Sequence, residues 1–199
     1  MKILIFGGTF NPPHLGHQLM IEQVLSQSLA GTLFDQLWLL PVGQHSFAKK
    51  FVASQDRLAM LNLMITAILE KNPLLKNKIF IEKYELERDE ESQTFSTLEA
   101  LSKQYPLHQF SFLIGSDNLA KFHLWHDYQL MLKKYPFYVY PRADYPFQPF
   151  YQGMIALENF PKMQVSSTQV RAALAKQSSL NKLLDAKVIA YIQKQRLFI

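Results

Sequence analysis

Lys2-Ile3-Leu4-Ile5-Phe6-Gly7-Gly8-Thr9-Phe10-Asn11-Pro12-Pro13-His14-Leu15-Gly16-His17 is the stretch that decides the fold. Lys2–Phe6 is an apolar run of strand length. Gly7-Gly8 lets the backbone turn tightly, Pro12-Pro13 hold the next segment extended, and helical periodicity begins at His17. A strand, a glycine turn and a helix start mark where open parallel sheets bind ligands. The first-turn N–H groups of such a helix and the positive end of its dipole attract anions. His14 and His17 are three residues apart, so one helical turn can point both imidazoles at the same phosphates. Gly7, Gly8, Thr9, Phe10 and Gly16 would line that site. No Gly-Lys-Ser/Thr follows, and the three-glycine dinucleotide fingerprint is absent, so a different phosphate chemistry is implied. Singly, each histidine reads as a polar residue at a helix start, or as half of a zinc pair short of a third ligand.

Outward from that stretch, short Ile-, Val-, Phe- and Tyr-rich runs alternate with helical segments, the pattern of a parallel sheet covered by helices. The predicted strands are Lys2–Phe6, Gln36–Leu40, Lys78–Glu82, Gln109–Ile114, Phe137–Tyr140 and Met154–Leu157. The predicted helices are His17–Ala30, Asp56–Glu70, Phe95–Gln104, Thr168–Lys176 and Asp185–Arg196. In the second of these Leu58, Leu61, Ile65, Ile68 and Leu69 form the core stripe. The expected fold is α/β, a Rossmann-like doubly wound parallel sheet in one domain spanning residues 1–199. Tyr135–Tyr151 stands apart, with at least seven aromatic residues among four prolines. It reads as an edge strand followed by an irregular loop whose rings pack on their own domain, with a homo-oligomer contact as the alternative.

The 199 residues are 48% hydrophobic and 19% charged, which suits a globular core. No apolar run reaches the roughly 20 residues of a membrane span, and the N-terminal run is too short for a signal peptide, so a cytoplasmic protein is expected. The absence of cysteine excludes disulfides, thiolate metal sites and cysteine nucleophiles. The formal charge of +5 is scattered rather than gathered in a stripe, which disfavours nucleic acid as a partner.

A second motif lies at Val165-Ser166-Ser167-Thr168-Gln169-Val170-Arg171. Ser166, Ser167 and Thr168 can cap a helix and offer hydroxyls, and Arg171 offers a planar fork suited to phosphate oxygens. Together with His14-Leu15-Gly16-His17, this resembles the nicotinate-mononucleotide adenylyltransferases of the nucleotidyltransferase superfamily. Thr94-Phe95-Ser96-Thr97-Leu98, Phe112-Leu113-Ile114-Gly115-Ser116-Asp117 and Trp125 extend the resemblance over nearly the whole chain.

The resemblance implies AMP transfer from ATP to a pyridine mononucleotide. His14, His17 and Arg171 would be catalytic, and the glycines, Thr9, Phe10, Ser166, Ser167 and Thr168 would hold ATP. Thr94, Asp117, Trp125 and Lys49 would serve the acceptor, with the indole stacking on its ring. Magnesium would arrive on the triphosphate, because no dedicated metal cluster is read in the sequence. The chain departs from the family at Gln44–Lys50, where Pro-Pro-His-Lys is usual, and at Gln93, where tyrosine is usual. His45 and Lys50 are therefore substitutes for Lys49. The rival readings are a nicotinamide mononucleotide or phosphopantetheine acceptor, and a non-catalytic nucleotide-binding module.

Overall fold

The computed structural model describes residues 1–29, 33–43, 51–162 and 164–198. In chain order the elements are β1 (Lys2–Gly8), α1 (Leu15–Leu29), β2 (Gln36–Pro41), α2 (Ser54–Lys71), β3 (Ile79–Ile81), α3 (Thr94–Gln104) and β4 (Gln109–Gly115). They continue with α4 (Tyr128–Lys134), β5 (Phe137–Tyr140), β6 (Met154–Ala156), α5 (Ser167–Ala175) and α6 (Ala186–Gln195). The six strands form one sheet in the order β3-β2-β1-β4-β5-β6, and every pairing is parallel. The order reverses between β1 and β4, and the carboxyl ends flanking that point are where such sheets bind ligands.

β1 is buried on both faces, which is why it reads as a continuous apolar run rather than an alternating one. Leu4 and Phe6 join a core with Met20, Ile21, Leu61, Val188 and Ile192. Ile3 and Ile5 join the opposite core with Leu98, Leu101, Phe122 and Phe137. Helices α1, α2, α5 and α6 cover the first face, and α3, α4 and the 3-10 turn Ser116–Leu124 cover the second. No helix among the described residues is long and apolar enough to cross a membrane.

Three expectations are corrected. Gly7 and Gly8 are not the turn: both stay in β1, and the only left-handed residue in that stretch is Phe10, with φ 46°. Gly7 is required for room instead, since a Cβ there would meet the Phe112 ring at 2.8 Å. The buried stripe of α2 is Arg57, Met60, Leu61, Met64, Ala67 and Ile68: of the expected stripe Leu61 and Ile68 are fully buried, whereas Leu58, Ile65 and Leu69 lie partly buried at its margin. Two unbranched methionines fill the core, and the arginine donates through Nη1 to two loop carbonyls while its Nε has no partner among the described residues. Finally, β5 is not an edge strand, because β6 pairs outside it. In the aromatic segment Tyr135, Phe137 and Tyr140 are buried and the Tyr151 hydroxyl donates to the Leu119 carbonyl, as packing requires, whereas Tyr145 and Phe150 are exposed.

Candidate active site

The segment between β1 and α1 is held from several sides by its carbonyls. Gly8 accepts from the Val42 N–H (3.0 Å), Thr9 from Arg57 (3.0 Å), Asn11 from Arg171 (2.8 Å) and Pro12 from the Ser167 hydroxyl (3.0 Å). The Asn11 side chain, 2% exposed, accepts the Val52 N–H at 3.2 Å. The Phe10 ring is buried edge-on against Phe6 and His17. A left-handed conformation costs a non-glycine residue on the order of 1 kcal/mol, and these contacts on both sides of Phe10 hold it there.

His14 and His17 lie in the turn that starts α1, with rings stacked at 3.6 Å and 19°. The His14 N–H donates to His17 Nδ1 (3.1 Å) and the His17 N–H donates to His14 Nδ1 (3.3 Å). With both Nδ1 atoms acting as acceptors, each neutral ring carries its proton on Nε2. Burial, and then the Arg142 charge, pushes His14 down to about 3. His17 is held well below the ordinary histidine value by burial, by His14 and by Arg142. At neutral pH the pair is therefore two uncharged Nε2–H donors.

Helix α5 starts beside this segment. Ser166 caps it in a full capping box with Gln169, Ser167 bonds to Pro12, and the Thr168 hydroxyl accepts from Arg171 at 3.2 Å. Ser166 is thus the helix cap that the sequence suggested. Two of the hydroxyls donate internally, and Thr168 orients the guanidinium. Among the described residues, the first-turn N–H groups of Ser167 and Thr168 have no partner. An open cleft of about 350 Å³ lies between the two motifs, bordered by Leu15, Gly16, Gln18, Glu22, Lys162 and Val165.

On the other side of β1, Gly115 ends β4, and a Cβ there would run into the Asp117 carboxylate and the Arg142 side chain. Asp117 faces the Arg142 guanidinium at 3.6 Å, and Arg142 is fixed by its own N–H donating to the Ser116 hydroxyl (3.0 Å). Trp125 is half-buried, with one side against Phe122 at 5.1 Å and Phe112 edge-on at 6.3 Å. Because Phe112 also fills the space that Gly7 leaves, Trp125 stands one ring from the end of β1. Thr94 is the first residue of α3, half-buried, and no side chain caps that helix. Lys49 and its substitutes His45 and Lys50 lie outside the described residues.

The cytidylyltransferase-like family matches residues 5–173. The nicotinate-nucleotide adenylyltransferase of Bacillus subtilis is 33% identical over 199 residues, covering 99% of this chain and 98% of its own. The probable nicotinate-nucleotide adenylyltransferase of Lactiplantibacillus plantarum is also 33% identical, covering 99% and 88%. The chain belongs to the nicotinate-nucleotide adenylyltransferase family. Among solved structures, the Plasmodium falciparum nicotinic acid mononucleotide adenylyltransferase complexed with NaAD superposes with a TM-score of 0.82. It does so over 99% of this chain and 97% of its own at 22% identity, a likeness of fold.

Within this adenylyltransferase family chain, sequence reading missed two arginines. Arg142 directly follows Pro141, with no periodic pattern to flag it. Arg57 was hidden inside an apparent core stripe. An arginine at a helical core position was the available signal, since that residue is almost never fully buried unless paired.

Proposed function

We propose that this protein transfers AMP from Mg·ATP to the phosphate of nicotinate mononucleotide, forming nicotinate adenine dinucleotide and releasing pyrophosphate. The observation that carries the reading is the stacked, neutral histidine pair. Supporting it, the start of α5 and the Arg171 fork are tied to the same segment through the Pro12 and Asn11 carbonyls. The acceptor phosphate, with a second pKa of about 6, is already a nucleophile at neutral pH, so no protein base is needed. Its oxygen attacks the α-phosphorus, and the bond from that phosphorus to the bridging oxygen of the leaving pyrophosphate breaks. Charge then grows on the pyrophosphate, where preorganised donors count most.

His14 and His17 donate from Nε2 to the phosphate oxygens without first having to lose charge. Arg171 and Arg142 supply positive charge from opposite sides, and Thr9 and Phe10 supply backbone N–H groups. The adenosine occupies the cleft beside Gly16 and Val165, where the missing side chain at Gly16 leaves room. Trp125 gives a flat face for the pyridine ring, and Thr94 and Asp117 complete the acceptor side with Lys49. The donor set is N–H groups and cations, with Asp117 the nearby carboxylate and already facing Arg142. That chemistry suits Mg²⁺ carried in by the triphosphate rather than a resident metal cage.

The test is pyrophosphate release from Mg·ATP with nicotinate mononucleotide, nicotinamide mononucleotide or phosphopantetheine supplied in turn. Release with the first alone supports the reading. Release with another acceptor keeps the chemistry and moves the specificity, and silence with all three despite ATP binding favours a non-catalytic module.

A further inference from the structure

Arg57 is 2% exposed and has no acidic partner within salt-bridge distance among the described residues. One guanidinium nitrogen, Nη1, donates to two backbone carbonyls, Thr9 at 3.0 Å and Val42 at 2.7 Å. Nη2 donates to the Ser54 hydroxyl at 3.2 Å, and the group lies 5.4 Å from the Phe51 ring. These contacts set the direction of two peptide planes. In a trans peptide the C=O and the following N–H point opposite ways. Holding the Val42 carbonyl therefore sends the Gly43 N–H away from Arg57, where it donates to the Ser92 hydroxyl at 3.1 Å. Holding the Thr9 carbonyl sends the Phe10 N–H away in the same manner, but that N–H has no acceptor among the described residues. It belongs to the left-handed residue beside the histidine pair.

We infer that Arg57 is a positioning residue that aims the Phe10 N–H at a phosphate group of ATP by fixing the Thr9–Phe10 peptide from behind. This rests on the adenylyltransferase reading for the identity of the ligand. It adds a role for a side chain that does not touch the ligand itself. Arg57 also ties that peptide to the end of β2 through Val42, so the donor loop and the β2 loop keep a fixed separation.

The test uses Arg57→Met and Arg57→Lys in the full chain, with pyrophosphate as the probe. In the wild type, pyrophosphate shifts the Phe10 amide resonance. In Arg57→Met that shift is lost and KM for Mg·ATP rises on the order of ten-fold, the worth of one hydrogen bond to a charged group. KM for the acceptor stays within two-fold. Arg57→Lys keeps a cation and one donor to Thr9, and recovers part of both effects. Should Arg57→Met fail to fold, Arg57→Lys and the wild-type Phe10 resonance carry the test. A wild-type Phe10 amide indifferent to pyrophosphate would overturn the inference, as would a variant that keeps both the shift and the ATP KM. Turnover of the wild type with each acceptor is read separately, so failure of the functional reading stays distinct from failure of this one.

Discussion

Two buried charged side chains hold the two sides of the site, and the Val42–Gly43 peptide lies between them. Arg57 takes its carbonyl, and the Gly43 N–H donates to Ser92 on the side of Glu85. Glu85, 5% exposed, accepts from the Thr97 hydroxyl at 2.9 Å, and Ser92 and the Gly43 N–H also face its carboxylate. Neither side chain has an ion-pair partner among the described residues, yet the two differ. The cation donates to two carbonyls and a hydroxyl, although burial lowers its pKa and its Nε has no partner among the described residues. The carboxylate is met by Thr97, Ser92 and the Gly43 N–H, yet burial outweighs them and pushes its pKa up. The phosphate side is therefore organised by a donor, while the segment leading to Thr94 is held by an acceptor that burial draws toward neutrality.

The sharpest way to break this contrast is His17→Ala. Removing one of two preorganised donors should lower kcat about 10²- to 10³-fold, because the lost interaction grows in the transition state, while the stranded His14 N–H lowers Tm by only about 2 to 4 °C. Steady-state pyrophosphate release and a thermal melt check both halves. A variant as active as its parent would mean the phosphate side does not act on the leaving group.

Acid stability sharpens the comparison next. His14 is held near 3 when folded against about 6.5 unfolded, so protons bind preferentially to the unfolded chain. Stability is therefore complete above about pH 6.5 and is lost as the pH falls below it. At pH 5 the His14 share alone is about 2 kcal/mol, and His17 adds in the same direction. Urea melts from pH 7.5 to 5 should show this decline, and His14→Gln should flatten it. A wild-type stability flat over that range would contradict the buried, neutral pair.

The phosphate side was also the more legible one. Lys2–Phe6, Gln109–Ile114 and Phe137–Tyr140 are visible as strands because parallel strands buried on both faces need unbroken apolar runs. His14-Leu15-Gly16-His17 and Ser166–Arg171 announce themselves through residue type and helix-start position. The hidden parts depend on contacts distant in sequence. Arg57 and Thr9 meet across 48 positions, and the one local hint of that contact is an arginine on the core face of α2. The 3-10 turn Ser116–Leu124 buries Ser116, Leu119 and Phe122 at a spacing of three, which escapes a search at the α-helical period. Phe10 carries the left-handed turn that two glycines appeared to offer, because the Phe112 ring claims the space at Gly7.

On the acceptor side a smaller effect is expected from Trp125→Ala. Losing a stacking face of about 1 kcal/mol should raise KM for nicotinate mononucleotide roughly five-fold and leave KM for Mg·ATP unchanged. Fluorescence quenching of the wild type by the mononucleotide gives an independent reading. A rise confined to the ATP KM would place the indole on the wrong side of the site.

The smallest effect separates the two buried charges themselves. Glu85 has a raised pKa, so the stability it contributes is complete below the unfolded value of about 4.5 and is lost as the pH climbs through the folded one. Glu85→Gln keeps an oxygen for Thr97 and removes the charge, so its Tm at pH 8 should equal or exceed the parent's. Glu85→Ala strands the Thr97 hydroxyl, costing about 1 kcal/mol, or about 2 to 4 °C in a chain of this size. If Gln falls as far as Ala, the carboxylate is needed in its charged form, and Glu85 is a counterpart of Arg57 rather than its opposite. If Gln holds and Ala falls, the acceptor side is secured by a neutral hydrogen bond, and alkaline conditions should loosen the Thr94 end of α3 before they disturb the histidine loop.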